Sequence, residues 1–419
     1  MDVLPIRNES RPPAKLLGLD WLRAVAALGV VLLHACVPYA RHPMPGLAWP
    51  VKGSGSGWVD VVFWSIELFV MPLFLVIAGF LAMQGLARRS GGQFIRHRAR
   101  RLLIPLLFGV VVVLPIDLHL WVLGWVVDGK VAISKLRSFK FDGQIDQHLW
   151  GLSHLWFLQY LFSYLCLLVT ATWTAQTGVL QKLRLPKLSL QRLTLALVCL
   201  GSIVLYVRPE VVWGFQHSYW PVPSKWIYSG LFFAFGAVLA KWDADLSWLT
   251  HFAFRAWPVA ACATVGAICL GQWHLSGGEN QYANALLAVL TCGSATLLTC
   301  VMMGLAHSSV RSVPTSIQYL SAGSFWLYIV HHPVLALIHI DQQLITSHWV
   351  PIINVFTSFT LAVGVSMLTY EGLVRRSWLG RWLGFQWQIP SKSESVVSIR
   401  SESFQQYDEL NGQSIKRAA

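Results

Sequence analysis

Runs of about twenty apolar residues, each long enough to cross a hydrocarbon core, recur along this chain from one end to the other. Ten can be delimited: about 16–38, 60–86, 102–127, 154–173, 190–207, 226–241, 256–273, 282–305, 317–340 and 350–373. In lipid a backbone has to satisfy its own hydrogen bonds, so repeated apolar spans of this length predict an all-α, polytopic transmembrane bundle. Composition agrees: 55% of the 419 residues are hydrophobic and 12% are charged, against roughly 25% charged in soluble domains. No stretch between spans is long enough for a second folded domain. The chain divides into a short tail (1–15), a membrane domain (16–374) and a polar, largely disordered tail (375–419).

The formal net charge is +13, but its distribution argues against nucleic acid as a partner. Six arginines crowd residues 88–101, "RRSGGQFIRHRARR", and further basic residues follow at Lys182, Arg184, Lys187, Arg192, Arg375, Arg376 and Arg381. With ten spans all of these fall on the side of the N-terminus, which the positive-inside rule makes cytoplasmic. Both termini are then expected inside. The opposite loops hold fewer basic residues, Lys130, Lys135, Arg137 and Lys140 among them. The first apolar stretch is span-length and carries charge, so it does not read as a cleavable signal. All seven cysteines fall within predicted spans; no disulfide framework or metal-ligand spacing follows, and they read as small apolar fillers. Trp49, Trp58, Trp121, Trp125 and Trp220 stand near span ends, as an interfacial belt would. "GSGSG" at 53–57 reads as a flexible outer linker, since no strand precedes it and no Lys-Ser follows.

The first span, "LDWLRAVAALGVVLLHAC" (19–36), carries Asp20, Arg23 and His34. Charges at membrane depth cost at least ~2.5–3.5 kcal/mol and usually face a protein interior. Eleven residues separate Arg23 from His34, which is three turns plus about 20°, so the two share a face and lie about 16 Å apart along the axis. Asp20 is placed to pair with Arg23. Given the topology, His34 sits toward the outer surface. At similar height come Asp60 and Glu67 from the second span, Asp117 and His119 from the third, His154 at the head of the fourth, and His331 and His332 in "YIVHHPV" of the ninth. A water-filled pocket open to the outside would solvate them. His331 and His332 are neighbours, so one of them is expected to face such a pocket. Asp117 and His119 fit snorkelling near the interface, and Glu371 is placed to pair with an arginine beyond the last span. On the other side Arg98 and Arg101, three apart at the start of a helix, form a fork for phosphates.

Taken together these motifs resemble the acyltransferase-three family of membrane O-acyltransferases. Arg23, ten residues and His34 match that family's first-span signature; "IAGFL" (77–81) resembles its Ser-Gly-Phe-Leu, with Ala78 where Ser is usual; Arg98–Arg101 resembles its R-x-x-R. "HLWFL" (154–158) and "YIVHHPV" (328–334) are closest to a branch to which succinylation of periplasmic glucans is attributed. The resemblance implies a bacterial inner-membrane enzyme that moves an acyl group, succinyl in that branch, from cytoplasmic acyl-CoA to a hydroxyl of an extracytoplasmic glycan. Acyl-CoA is then a substrate, with no tightly bound cofactor and no metal. The implied catalytic residues are His34, as general base or acyl carrier, with Arg23, Glu67, His331 and His332; Arg98 and Arg101 would hold the donor, His154 and Trp156 the acceptor. Some relatives carry an added esterase-like domain, for which this chain has no room, so the membrane domain is expected to complete the transfer alone. The competing readings are a secondary transporter of a small polar solute, whose path would also be lined by polar residues although no internal repeat supports it, and a same-family enzyme that acylates a different acceptor.

Overall fold

The structure is a computed structural model that describes residues 16–138, 150–176, 189–216 and 218–384. The tail 1–15, the basic residues Lys140, Lys182, Arg184 and Lys187, and the polar segment from 385 onward lie outside the described residues. Each of the ten predicted spans is a helix. In chain order these are α1 (Leu17–Cys36), α2 (Gly57–Leu86), α3 (Gly91–Phe108) with α4 (Leu114–Val127), α5 (Trp156–Gln176), α6 (Leu190–Val207), α7 (Pro223–Trp242), α8 (Ser247–Leu275), α9 (Gln281–Ser309), α10 (Thr315–Ile345) and α11 (Pro351–Thr369). α3 and α4 form one rod, joined by a π turn at Gly109–Val113, four residues after Pro105. Among the described residues nine of these stretches are long and apolar enough to cross a membrane. The exception is α7, whose ends carry Lys225 and Lys241. The protein is therefore a multi-pass membrane bundle.

α1, α2, α9 and α10 supply most of the buried interior. α2 is central, with Val59, Phe63, Trp64, Leu68, Leu73 and Phe80 all but sealed from solvent. Around it α3–α4, α5, α6, α8 and α11 keep apolar faces outward, as at Val111, Ile116, Leu195, Ile203, Phe356 and Leu368. Such a belt is suited to lipid tails, against which apolar side chains lose nothing by exposure.

Lipid gives apolar side chains no reason to associate, so helix contacts rely on close approach. α2 and α7 touch backbone to backbone at two glycines: a Cβ on Gly79 would collide with the carbonyl oxygen of Phe233, and one on Gly236 with that of Val76. α8 and α9 pack by the same device at Gly304, against the Leu249 carbonyl, and hold a Thr264–Ser294 hydroxyl contact of 2.7 Å between them.

Three sequence expectations change here. The helix bearing Arg98 and Arg101 begins at Gly91, not near 102, with the Ser90 hydroxyl accepting from the Gln93 N–H, so both arginines sit well inside it. "GSGSG" is not a free linker: Ser56 bridges Ala40, and Gly57 opens α2. Short helix Trp378–Trp382 follows α11, and Leu383 is buried against Val374 and Tyr370. Glu371 pairs with Arg375 at 2.7 Å, as expected from the sequence.

The α2–α7 crossing yields a stability prediction. Gly236→Val should force these helices apart and sharply lower the fraction of protein recovered as a monodisperse peak from detergent. Ala234→Val, on the exposed face of the same helix, serves as the comparison. Equal recovery of wild type and Gly236→Val in size-exclusion chromatography would show that the contact is dispensable.

Candidate active site

The polar stripe of α1 lies along two adjoining cavities. Arg23, Ala27 and Val30 line the first, of about 490 Å³, together with Gln84, Arg88, Arg98 and Arg101. Val30, Leu33 and His34 line the second, of about 100 Å³, together with Glu67, His154, Trp156, Lys225 and His332. Val30, Met71 and Tyr328 border both. The 3.6-residue period predicted from Arg23 to His34 thus runs past a common wall.

In the arginine cavity positive charges outnumber carboxylates: among the described residues, of Arg23, Arg88, Arg98 and Arg101 one has a carboxylate within 4.0 Å. Arg23 reaches Asp20 at 3.5 Å, with both side chains substantially exposed. Arg98 lies over the Phe94 ring, 5.3 Å from its centroid, and its buried Nε has no hydrogen-bond partner among the described residues. It feels the like charges of Arg101, Arg23 and Arg89. Guanidiniums held together in this way have the chemistry to receive an anion, since each offers planar, paired N–H donors.

The histidine cavity is organised by backbone carbonyls. His34 Nδ1 lies 2.8 Å from the Val30 carbonyl oxygen. A carbonyl can only accept, so Nδ1 carries the proton and the neutral ring keeps its lone pair on Nε2. His331 is held in the same way, Nδ1 donating to the Tyr328 carbonyl at 2.8 Å. His154 depends on Pro333. Proline has no N–H, so the carbonyl four residues earlier, that of Ile329, loses its helical donor; His154 Nε2 donates to it at 3.0 Å. His154 is further fixed by the Tyr328 hydroxyl, which donates to its carbonyl, and follows Ser153, whose φ of 48° is left-handed.

His332 differs from these three, since its Nδ1 faces the Asp117 carboxylate at 2.8 Å and both side chains are buried. Its ring stacks on His154 with centroids 4.8 Å apart, and lies 5.2 Å from that of His34; the His331 ring is 5.0 Å from His34 and 5.1 Å from His154. His332 lines the cavity, while His331 backs His34 from within the packing. Both neighbours therefore flank one imidazole, which successive side chains about 100° apart on a helix can do.

The structure places Glu67 and Trp156 on the cavity wall, with Lys225 Nζ 3.9 Å from the Trp156 ring centroid. Asp117 is not an interface residue. It is 3% exposed, whereas His119, on another face of α4, is exposed and donates to the Pro115 carbonyl. Asp60, expected in the pocket, is instead paired with His42 at 2.7 Å and holds the loop after α1. That loop folds inward, so Trp49 is not part of an interfacial belt. It packs 4.8 Å from His332 and donates to His339 Nδ1 at 2.9 Å. Trp121 and Trp125 are likewise buried, while Trp58 and Trp220 are exposed as a belt requires. Asp117, His154 and His332 are residue types that hold metal ions, and their ligand atoms lie within 4.8 Å of one another; one of those contacts, Asp117 to His332, already stands at hydrogen-bond distance.

Asp117 and Lys225 are the residues that sequence reasoning left out of the site. Both carried the signal of an ionisable group in or beside an apolar span. What was missing was the rotation of α4 and α7, which decides the side chain's direction.

Residues 16–371 match the family described as an acyltransferase domain. Over 397 residues the chain is 24% identical to the glucans biosynthesis protein C of Salmonella agona (strain SL483) and to that of Salmonella gallinarum (strain 287/91 / NCTC 13346), alignments that cover 91% of this chain and 97% of each relative. No solved structure matches the chain. With the family match running from the foot of α1 to the π turn after α11, the transporter reading gives way: the chain belongs to the acyltransferase-three family and is an acyltransferase.

Proposed function

We propose that this enzyme takes an acyl group, succinyl by the branch it resembles, from acyl-CoA on the cytoplasmic side of a bacterial inner membrane and esterifies a hydroxyl of a glucan on the other side, with both termini cytoplasmic. The observation that carries the reading is the pair of cavities meeting at Val30, Met71 and Tyr328. One is lined by arginines suited to coenzyme A phosphates, the other by imidazoles suited to proton transfer, and a pantetheine arm is the kind of slender, extended group that would join them. The relatives' name supports glucan as the acceptor.

His34 serves as the general base. Among the described residues its hydrogen bond runs from Nδ1 to the Val30 carbonyl, and this leaves Nε2 as the acceptor. The acceptor hydroxyl gives its proton to Nε2 as its oxygen attacks the thioester carbonyl. The C–O bond forms, the C–S bond breaks, and the proton passes on to the thiolate, leaving an ester and free coenzyme A. General base catalysis of this kind contributes ~10²–10⁴-fold. His332, whose positive form the Asp117 carboxylate balances, donates to the oxyanion that develops on the carbonyl oxygen. Arg23, a predicted 16 Å or so below His34, acts on the donor and not on the reacting atoms. His331 orients His34, and His154 forms the acceptor wall.

Sidedness is the direct test. In oriented proteoliposomes, labelled succinyl-CoA on the face of Arg98 and glucan on the face of His34 should give labelled ester, and the reverse arrangement should not. Transfer that requires both substrates on one face would overturn the through-membrane path. A second expectation concerns the donor site. Arg98→Ala and Arg101→Ala should each raise the apparent KM for acyl-CoA about tenfold or more, the scale of one lost charge-assisted contact of ~1.5–3 kcal/mol, with the acceptor KM little changed. Steady-state kinetics at saturating acceptor reads this directly. The third concerns the dyad: Asp117→Asn and His332→Gln should each lower kcat by at least ~10²-fold, and the double variant should be no slower than the worse single one. Additive losses in that cycle would separate the two residues' roles.

A further inference from the structure

Lys225 stands in the first turn of α7 and lines the same cavity as His34 and His332. Tyr228, Ser229 and Phe232, the next residues on that stripe, line it too, while Ile227 beside them is exposed. The lysine is therefore on the cavity face of its helix and does not snorkel along the outer surface. Its Nζ sits 3.9 Å from the Trp156 ring centroid and 5.5 Å from that of Phe215. Among the described residues it has no carboxylate within 4.0 Å: the ion pairs use Asp20, Asp60, Asp117, Asp128, Glu210 and Glu371. Glu67 acts on its charge from further along the cavity wall. An aromatic face gives an ammonium about 0.5–2 kcal/mol, less than the several kcal/mol lost when the ion leaves bulk water. A cation so placed is completed by an anion on its cavity side.

We propose that Lys225, with Trp156 and Phe215 beside it, forms a subsite for a carboxylate at the far end of the acyl chain, so that the enzyme selects thioesters of short dicarboxylic acids over acetyl-CoA. This rests on the acyl-CoA reading above and assigns a residue to its specificity. The reacting carbonyl lies against the imidazoles of a small cavity, and the acyl chain has to run along the remaining wall. That wall offers aromatic surface for a short methylene run and one cation at which it can end. Glu67 keeps the lysine partly balanced from beyond contact, leaving the nearest position to an incoming carboxylate. A neutral acyl chain leaves that position unused.

The test uses full-length enzyme in lipid nanodiscs, a neutral glucan oligosaccharide as acceptor, and succinyl-CoA or acetyl-CoA as donor. Wild type should favour succinyl-CoA in kcat/KM by at least ~30-fold, the low end for a charge contact in a desolvated site. Lys225→Met should remove that preference, mainly through the KM for succinyl-CoA, and Lys225→Arg should keep most of it. Titration of both donors onto each variant, read by calorimetry, reports the same difference as binding, so a Lys225→Met protein that turns over poorly is still informative. A preference unchanged in Lys225→Met, in rate and in binding, would overturn the proposal. So would a preference that appears only with an anionically substituted acceptor, since the lysine would then read the acceptor. Transfer from neither thioester by wild type would overturn the acyl-CoA reading itself.

Discussion

A carboxylate and an imidazole buried 2.8 Å apart, Asp117 and His332, set the terms for the centre of this bundle. Neither partner tolerates burial alone; an uncompensated charge there costs several kcal/mol. Their pairing requires α4 to turn Asp117 inward, and this brings Trp121 and Trp125 of the same helix into the interior as well. Trp125 then donates to the carbonyl of Trp49 at 3.0 Å, and Trp49 closes over His332 and donates to His339. One polar contact thus goes with the direction of a helix face, while the loop after α1 is held inward both by Trp49 and by the Asp60–His42 pair.

The four imidazoles around the cavity are alike in chemistry and differ in what holds them. His34, His154 and His331 each give a proton to a helix carbonyl, from Val30, Ile329 and Tyr328. The Ile329 carbonyl is available because Pro333 has no N–H to offer it. His332 has a carboxylate at hydrogen-bond distance, that of Asp117, which can balance a positive ring. Neighbouring rings in one cavity thus have two kinds of support, a backbone carbonyl or a carboxylate.

Packing explains how this polar centre is tolerated. Glycines at 79, 236 and 304 let helix backbones meet with no side chain between them, so the bundle gains dispersion contacts along its length. The apolar belt on α3–α4, α6 and α11 meets lipid. Between these layers the arginine and histidine cavities share Val30, Met71 and Tyr328, and Tyr328 also anchors His154. The wall common to the two cavities and the support of His154 thus share a side chain.

The helical class was legible from span length and hydropathy alone, because lipid admits few backbone solutions. So was the shared face of Arg23 and His34, since helical period assigns faces within one helix whatever surrounds it. The pairing of Glu371 with Arg375, four residues apart, was legible for the same reason. Hydropathy could not say how each helix rotates against its neighbours. Asp117 therefore read as an interface residue and Trp49 and Trp121 as a belt, and Lys225 carried no reading at all. In tertiary structure Pro333 leaves a carbonyl for His154 from a distant segment, and Asp117 meets His332 across 215 positions of chain. The sequence by itself determined which segments cross the membrane and which face of the first helix is polar. Only tertiary packing decided which buried groups satisfy one another, because in a low-dielectric interior that choice depends on neighbours brought together by the whole bundle.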